Sequence, residues 1–345
     1  MDELRLLAKQ FFKLFAIVFV LVGIVFILVL NYEPKPELYI PIISEEPQAE
    51  SIPWQPKDAV SELSSMPVKV EKGYFLIAET SKFMGPNAEN PKDRYSGNNL
   101  ACANCHLQKG AQAGSGSWVG IIERFPQFGG RGNKIGTIED RINGCMERSM
   151  NGKMLPVESD KMEAIVAYMK WLGEDLPENR KAEFKGYPQI QIPNVAVDLK
   201  KGNQVYKKEC IICHGENGAG ILNTDGKSYT YPPLWGEDSY NDGAGMNRVI
   251  TSAEFIKSNM PYLQATWDNP KLTDDEAYHV AGYINSFSRP HKANTENDYP
   301  DKKLKPVSTP YGPWVDEFSP EQHKYGPFPP IMDYYTKEYG ITKTK

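Results

Sequence analysis

Two short motifs constrain this chain more than any other feature: CANCH (Cys102, Cys105, His106) and CIICH (Cys210, Cys213, His214). Each sets cysteines at i and i+3, which a turn of helix brings to one side, followed by a histidine at i+4. In a c-type haem-attachment motif the two thiols add to the vinyl groups as thioethers. The adjacent histidine then takes one axial position on iron. Zinc is a competing use of paired CxxC motifs, but such pairs sit ~15–20 residues apart, whereas these are separated by about a hundred. A redox-active CxxC is the other alternative. Two copies, each followed by His and each ahead of a capped helical pattern, argue against it. The expectation is two covalently attached haem c groups, with His106 and His214 on their irons.

The N-terminus has a different character. After Arg5, Lys9 and Lys13 comes LFAIVFVLVGIVFILVL, Leu14 to Leu30, an uncharged apolar run. With Phe11 and Phe12 it reaches the ~20 residues that cross a bilayer as a helix. Basic residues precede it and acidic ones follow (Glu33, Glu37, Glu45, Glu46). The positive-inside rule therefore keeps the N-terminus in the cytoplasm and exports the rest. A cleaved signal peptide competes with this reading, but the run is long and NYEPKPELY has no small-x-small cleavage site. The expectation is an uncleaved anchor through residues 11–30, holding the remainder on the periplasmic side of the cytoplasmic membrane. The net charge of -5 argues against a nucleic-acid partner. It also leaves any anionic ligand dependent on local basic residues.

Residues 31–66 are rich in Pro, Glu and Ser and read as a spacer. The tail, 291–345, is rich in Pro and aromatic residues; it cannot build its own core and is expected to pack over the folded surface. Between them lies a weak repeat. LTDDEAYHVAGYINSF carries a capping box, Thr273 with Glu276, and sets Ala277, Val280, Ala281 and Ile284 on one face. SDKMEAIVAYMKWL repeats the design, with Asp160 as N-cap and Glu163 as its partner, and with Ile165, Val166, Met169 and Leu172 on the apolar side. Upstream, Gly202 and Tyr206 lie one turn apart, and EKGYFLIAE corresponds to that segment in the first half. CIICHG, Met260-Pro261 and LTDDEAYHVAGYI together resemble the class I cytochrome c family. The resemblance implies a mainly α fold with two such domains in tandem (67–190 and 191–290), each with one haem c, after the N-terminal membrane helix.

Each histidine leaves the opposite face of its iron open. In the second half Met260 stands between the haem motif and the last helix, and Met/His ligation suits electron transfer. Its rivals are Met246, Lys257 and His279. In the first half Met146, Met150 and Met154 run at the spacing of a packed helical stripe, and Met154 precedes Leu-Pro. Cys145 competes with them. A leftover thiol is a liability in an exported protein, and a buried small residue is its ordinary role. Arg141, Cys145 and Ser149, however, share one helical face, and an arginine and a serine do not belong on a core stripe. Gly144 permits close approach by another group. Arg131 in GGRGNK and Lys153 in a Gly-flanked turn add positive charge, so the group reads as an anion pocket around one thiol.

GGRGNKIGTIEDRINGCMERSMNGK, with the two haem motifs, resembles the thiosulfate dehydrogenase family, the tetrathionate-forming dihaem cytochromes c (TsdA). The resemblance runs from about Pro67 to Ser288. It implies that Cys145 is the thiolate ligand of the first haem iron and Met260 the ligand of the second, with Arg131, Arg141 and Ser149 as site residues. The partners implied are thiosulfate, tetrathionate and an external redox partner such as another c-type cytochrome. Two other readings stay open: a Sox-type cytochrome acting on carrier-bound sulfur, and a membrane-tethered electron carrier.

Overall fold

The computed structural model describes residues 2–32 and 54–345. They form two separate units. In the first, Asp2–Leu30 is one continuous helix with no buried side chain, long and apolar enough to cross a membrane. Uninterrupted Leu, Ile, Val and Phe, with no Pro and only Gly23 inside the apolar run, leave the backbone nothing to do but satisfy its own hydrogen bonds. The acidic residues at 33, 37, 45 and 46, and most of the expected spacer, lie outside the described residues.

The second unit, Trp54–Lys345, is built on one supersecondary design used twice. Helix Val68–Ala78 crosses helix Asp160–Leu172, and helix Leu199–Glu209 crosses helix Asp274–Ile284. A glycine sits at each crossing. A Cβ on Gly73 would lie 2.1 Å from the Ala164 carbonyl oxygen, and one on Gly202 would lie 2.2 Å from that of His279. The two backbones touch where a side chain would hold them apart. Around these crossings form two hydrophobic cores. The first gathers Tyr74, Ile77, Trp118, Met146, Ile165, Tyr168 and Leu172. The second gathers Tyr206, Ile250, Ala277, Tyr278, Val280, Ala281 and Ile284.

Extended structure is confined, among the described residues, to two small antiparallel hairpins, Gln127–Gly129 with Lys134–Gly136 and Ile221–Leu222 with Tyr229–Tyr231. Family-level expectations for a mainly helical tandem are met. Thr273 and Glu276 form the capping box. In the first half the cap differs from expectation: Ser159, with the extended backbone a cap requires, accepts from Met162 N–H. Asp160 and Glu163 instead reach across to Lys72 and Lys69 of the crossing helix. The spacer also ends earlier than its composition suggests. Ala59 and Met66 are buried in the first core, with Trp54 and Leu63 against it.

The tail is integral to the second core, where Val307, Phe328, Ile331 and Tyr335 are buried. Its aromatic residues account for this: helix Pro329–Tyr339 turns Ile331 and Tyr335, one turn apart, inward. The tail also closes over two ionised groups. Lys345 Nζ lies 2.8 Å from the carboxylate of Glu254, which is only 1% exposed.

Candidate active site

CANCH folds as a 3-10 turn at Cys102–Asn104, and CIICH as the short helix Ile211–His214. Both turns place the cysteines beside the histidine, as the spacing predicts. The histidines are oriented alike. His106 Nδ1 lies 2.8 Å from the Gly116 carbonyl oxygen, and His214 Nδ1 lies 2.8 Å from that of Pro232. A carbonyl only accepts, so each Nδ1 carries the proton and each Nε2 lone pair is free for a metal. Cys105, Cys210, Cys213, His214, Met246, Met260 and Tyr262 line one cavity with mainly apolar walls, including Leu100, Leu107, Leu234 and Ile256. Paired thiols and a histidine with a free Nε2 fit a haem c at each motif, and at the second the apolar chamber is present as well. Of the rivals to Met260, Lys257 is held 2.5 Å from Asp274. His279 is buried, its Nδ1 accepting from Asp198 N–H at 3.0 Å. Met246 and Met260 both reach the cavity.

Helix Ile138–Arg148 carries the first site. Its capping box is Thr137 with Asp140, and its inner face is Ile138, Ile142, Asn143 and Met146, all buried. Met146 and Met150 belong to the core, while Met154, 53% exposed, stands beyond the helix end. Arg141 and Cys145 fall on another face. Arg141 Nη1 lies 3.1 Å from Cys145 Sγ. His106 is the other titratable group that acts on this sulfur, so the first motif's histidine and Cys145 belong to one site. A Cβ on Gly144 would meet nothing within 4 Å, which leaves open room beside the thiol.

Four of the cysteines divide electrostatically. Burial pushes Cys102 up to about 11, and Cys105 and Cys210 up to about 12. Burial also works against the Cys145 thiolate, but the Arg141 guanidinium, helped by His106 when its second nitrogen also carries a proton, outweighs it and brings Cys145 down to about 6. The Cys145 charge in turn raises Arg141 above its ordinary value. Among these four thiols Cys145 alone is held as a soft anion near neutral pH.

The positive groups are distributed unevenly. Arg131, in the loop between the first hairpin's strands, donates from Nη1 to Asp298 (2.8 Å), to the Gly243 carbonyl (3.0 Å) and to Tyr311 Oη (3.2 Å). The other oxygen of Asp298 accepts from Arg148 Nη2 at 2.7 Å. Arg248 sits on the same loop as Gly243, its Nε 3.4 Å from the Gly245 carbonyl oxygen. Ser149 caps the helix and is half-buried. Lys153 has left the helix that carries Arg141 and Cys145. It is exposed over the Tyr95 ring, because its backbone N–H bonds the Tyr95 carbonyl and the chain has already left the helix. Sequence reading overlooked Asp298, Tyr311, Arg148 and Arg248. The Arg131–Asp298 contact spans 167 residues, and an acid in a Pro/aromatic tail gives no local signal of it.

Known proteins place this arrangement. Residues 92–177 match the model of the SoxA/TsdA cytochrome c domain, and residues 199–288 match that of cytochrome c. The thiosulfate dehydrogenase of Psychrobacter arcticus is 40% identical over 205 residues, covering 59% of this chain and 61% of the relative. That of Stutzerimonas stutzeri is 36% identical over 221 residues, covering 64% and 67%. That of Allochromatium vinosum is 40% identical over 200 residues, covering 57% and 72%. A solved structure, thiosulfate dehydrogenase (TsdBA) from Marichromatium purpuratum, aligns with a TM-score of 0.60 at 32% identity, over 70% of this chain and 50% of that one. With its two cytochrome c domains in tandem, this chain belongs to the thiosulfate dehydrogenase (TsdA) family.

Proposed function

We propose that this chain is an oxidoreductase that joins two thiosulfate ions into tetrathionate, releasing two electrons, and that the same site runs the reverse reduction. The observation that carries this reading is the Arg141–Cys145 contact, a thiol held beside a guanidinium in the same site as the first haem-motif histidine. Cys102, Cys105 and His106, and Cys210, Cys213 and His214, would each hold a haem c, with Cys145 and Met260 as the further ligands; the two groups would supply two one-electron acceptors and a route to an external redox partner.

The residues of this chain do the rest. Arg141 and Arg131 offset the repulsion between two dianions, since a guanidinium grips an oxyanion through paired N–H groups. The Ser149 hydroxyl donates a further hydrogen bond. Cys145 bonds the sulfane sulfur of the first thiosulfate, giving a Cys–S–S–SO3⁻ adduct as two electrons leave. The second thiosulfate attacks that adduct, as in thiol–disulfide exchange. The new S–S bond of tetrathionate forms, and Cys145 departs as thiolate. The apolar N-terminal helix anchors the protein, with the folded body on the periplasmic side.

The test is a redox-monitored assay with thiosulfate and, separately, tetrathionate, on wild type and Cys145→Gly. Removing a nucleophile should cut turnover by about a thousandfold or more and change the spectrum of one haem only. Intact-mass analysis after substrate treatment should show a Cys145-dependent adduct. Full activity in Cys145→Gly would sink the proposal.

A further inference from the structure

Four arginines gather near the end of helix Ile138–Arg148: Arg131, Arg141, Arg148 and Arg248. Three have partners. Arg131 and Arg148 share Asp298, and Arg141 lies on Cys145. Among the described residues Arg248 has no carboxylate within 4.0 Å. Its recorded hydrogen bond is the long one from Nε to Gly245, so its two terminal nitrogens keep their donors free. Yet it is set deep. Burial lowers its pKa below the ordinary arginine value, and the charges of Arg131 and Arg141 lower it further. A half-buried charge with no ion-pair partner within 4.0 Å, near two others of the same sign and with Glu254 acting only from further off, is costly unless an anion arrives. One turn further on, the Thr251 hydroxyl is also buried and without a partner.

We propose that Arg248 is a binding residue for the second thiosulfate, holding its sulfonate oxygens while its sulfur approaches Cys145. This rests on the thiosulfate reading above. Arg131 is partly neutralised by Asp298 and Arg141 serves the first thiosulfate beside the thiolate, so the second dianion needs a cation of its own. Arg248 supplies one, and its free terminal N–H pair fits a bidentate grip on an oxyanion. A haem propionate is the other anion this chemistry accepts, and the experiment has an arm for it.

The full-length, haem-loaded protein is compared with Arg248→Gln and Arg248→Lys. Three quantities are read: the thiosulfate KM and kcat, the half-saturating thiosulfate concentration in an absorption titration of the oxidised protein without acceptor, and the reduction potentials of both haems. Arg248→Gln should raise KM and the half-saturation point at least about tenfold, with both potentials unchanged. Arg248→Lys keeps the charge but loses the fork, so it should fall between the two. It carries the test alone if Arg248→Gln fails to load haem. A KM within twofold of wild type overturns the proposal, as does a shifted haem potential, which assigns Arg248 to a propionate. In either case an active wild type leaves the thiosulfate reading standing. A wild type inert with both thiosulfate and tetrathionate overturns that reading and this subsite together.

Discussion

Asp298 is the most informative residue to remove. Its two carboxylate oxygens hold two guanidinium groups, Arg131 at 2.8 Å and Arg148 at 2.7 Å, and Tyr311 Oη donates to it at 2.7 Å. Asp298→Ala would leave both cations facing each other, with Glu147, 3.9 Å from Arg148, as the one remaining counter-charge among the described residues. Breaking a buried ion pair by removing one partner costs about 3–5 kcal/mol. The Arg131 and Arg148 side chains are 28% and 13% exposed, so water recovers part of that and about 3 kcal/mol is the working figure. In a body of this size the loss should lower Tm by roughly 5–10 °C. Arg131 would also lose its orientation, and thiosulfate KM should rise about tenfold, equivalent to about 1.4 kcal/mol. Both haem spectra should stay as in wild type. The assay is thermal unfolding by far-ultraviolet circular dichroism, with steady-state kinetics in parallel, and Glu158→Ala as an exposed-carboxylate control. Asp298→Asn keeps the shape but not the charge and should show most of the effect. If Asp298→Ala melts within about 0.5 kcal/mol of wild type and keeps its KM, the tail carboxylate does not organise the site and the reasoning fails.

Two further predictions concern packing and pH. Gly73→Ala and Gly202→Ala should each destabilise by about 1–3 kcal/mol, despite alanine's better helix propensity, because the new methyl meets a carbonyl of the crossing helix; equal melting temperatures would refute the crossing geometry. Lys345→Met strips the buried Glu254 carboxylate of its ion partner and should cost about 1–3 kcal/mol at neutral pH. Burial raises the Glu254 pKa, and Lys345 partly offsets it. A raised folded-state carboxyl pKa gives stability that is present below the unfolded value and lost as pH rises through the folded one. The gap between wild type and variant should therefore be small near pH 4 and widen toward neutrality, and a gap independent of pH would count against the pairing.

Most of the local chemistry was legible in the residues. CxxCH is a one-turn motif, and the resulting geometry depends on neighbours in the chain. The same holds for Arg141 and Cys145, four apart on one helix, and for the Thr273–Glu276 box. Where two local solutions competed, the sequence was ambiguous. Ser159 and Asp160 are both good caps, and the crossing helix settled the choice by drawing Asp160 and Glu163 to Lys72 and Lys69. The spacer offered composition alone, and composition does not reveal that Ala59 and Met66 meet the first core.

The distant contacts were out of reach. No pattern near Arg131 points to Asp298, and none near Arg248 shows that it lacks a partner; charge pairing depends on distance in space, which separations of 150 residues or more do not encode locally. Helix type, the two CxxCH motifs and the Arg141–Cys145 pair thus follow from short-range periodicity and side-chain chemistry. Which cations are spent on the protein itself, and which stay free for an anion, follows only from how the tail folds back over the first domain, because electrostatic balance belongs to the packed whole.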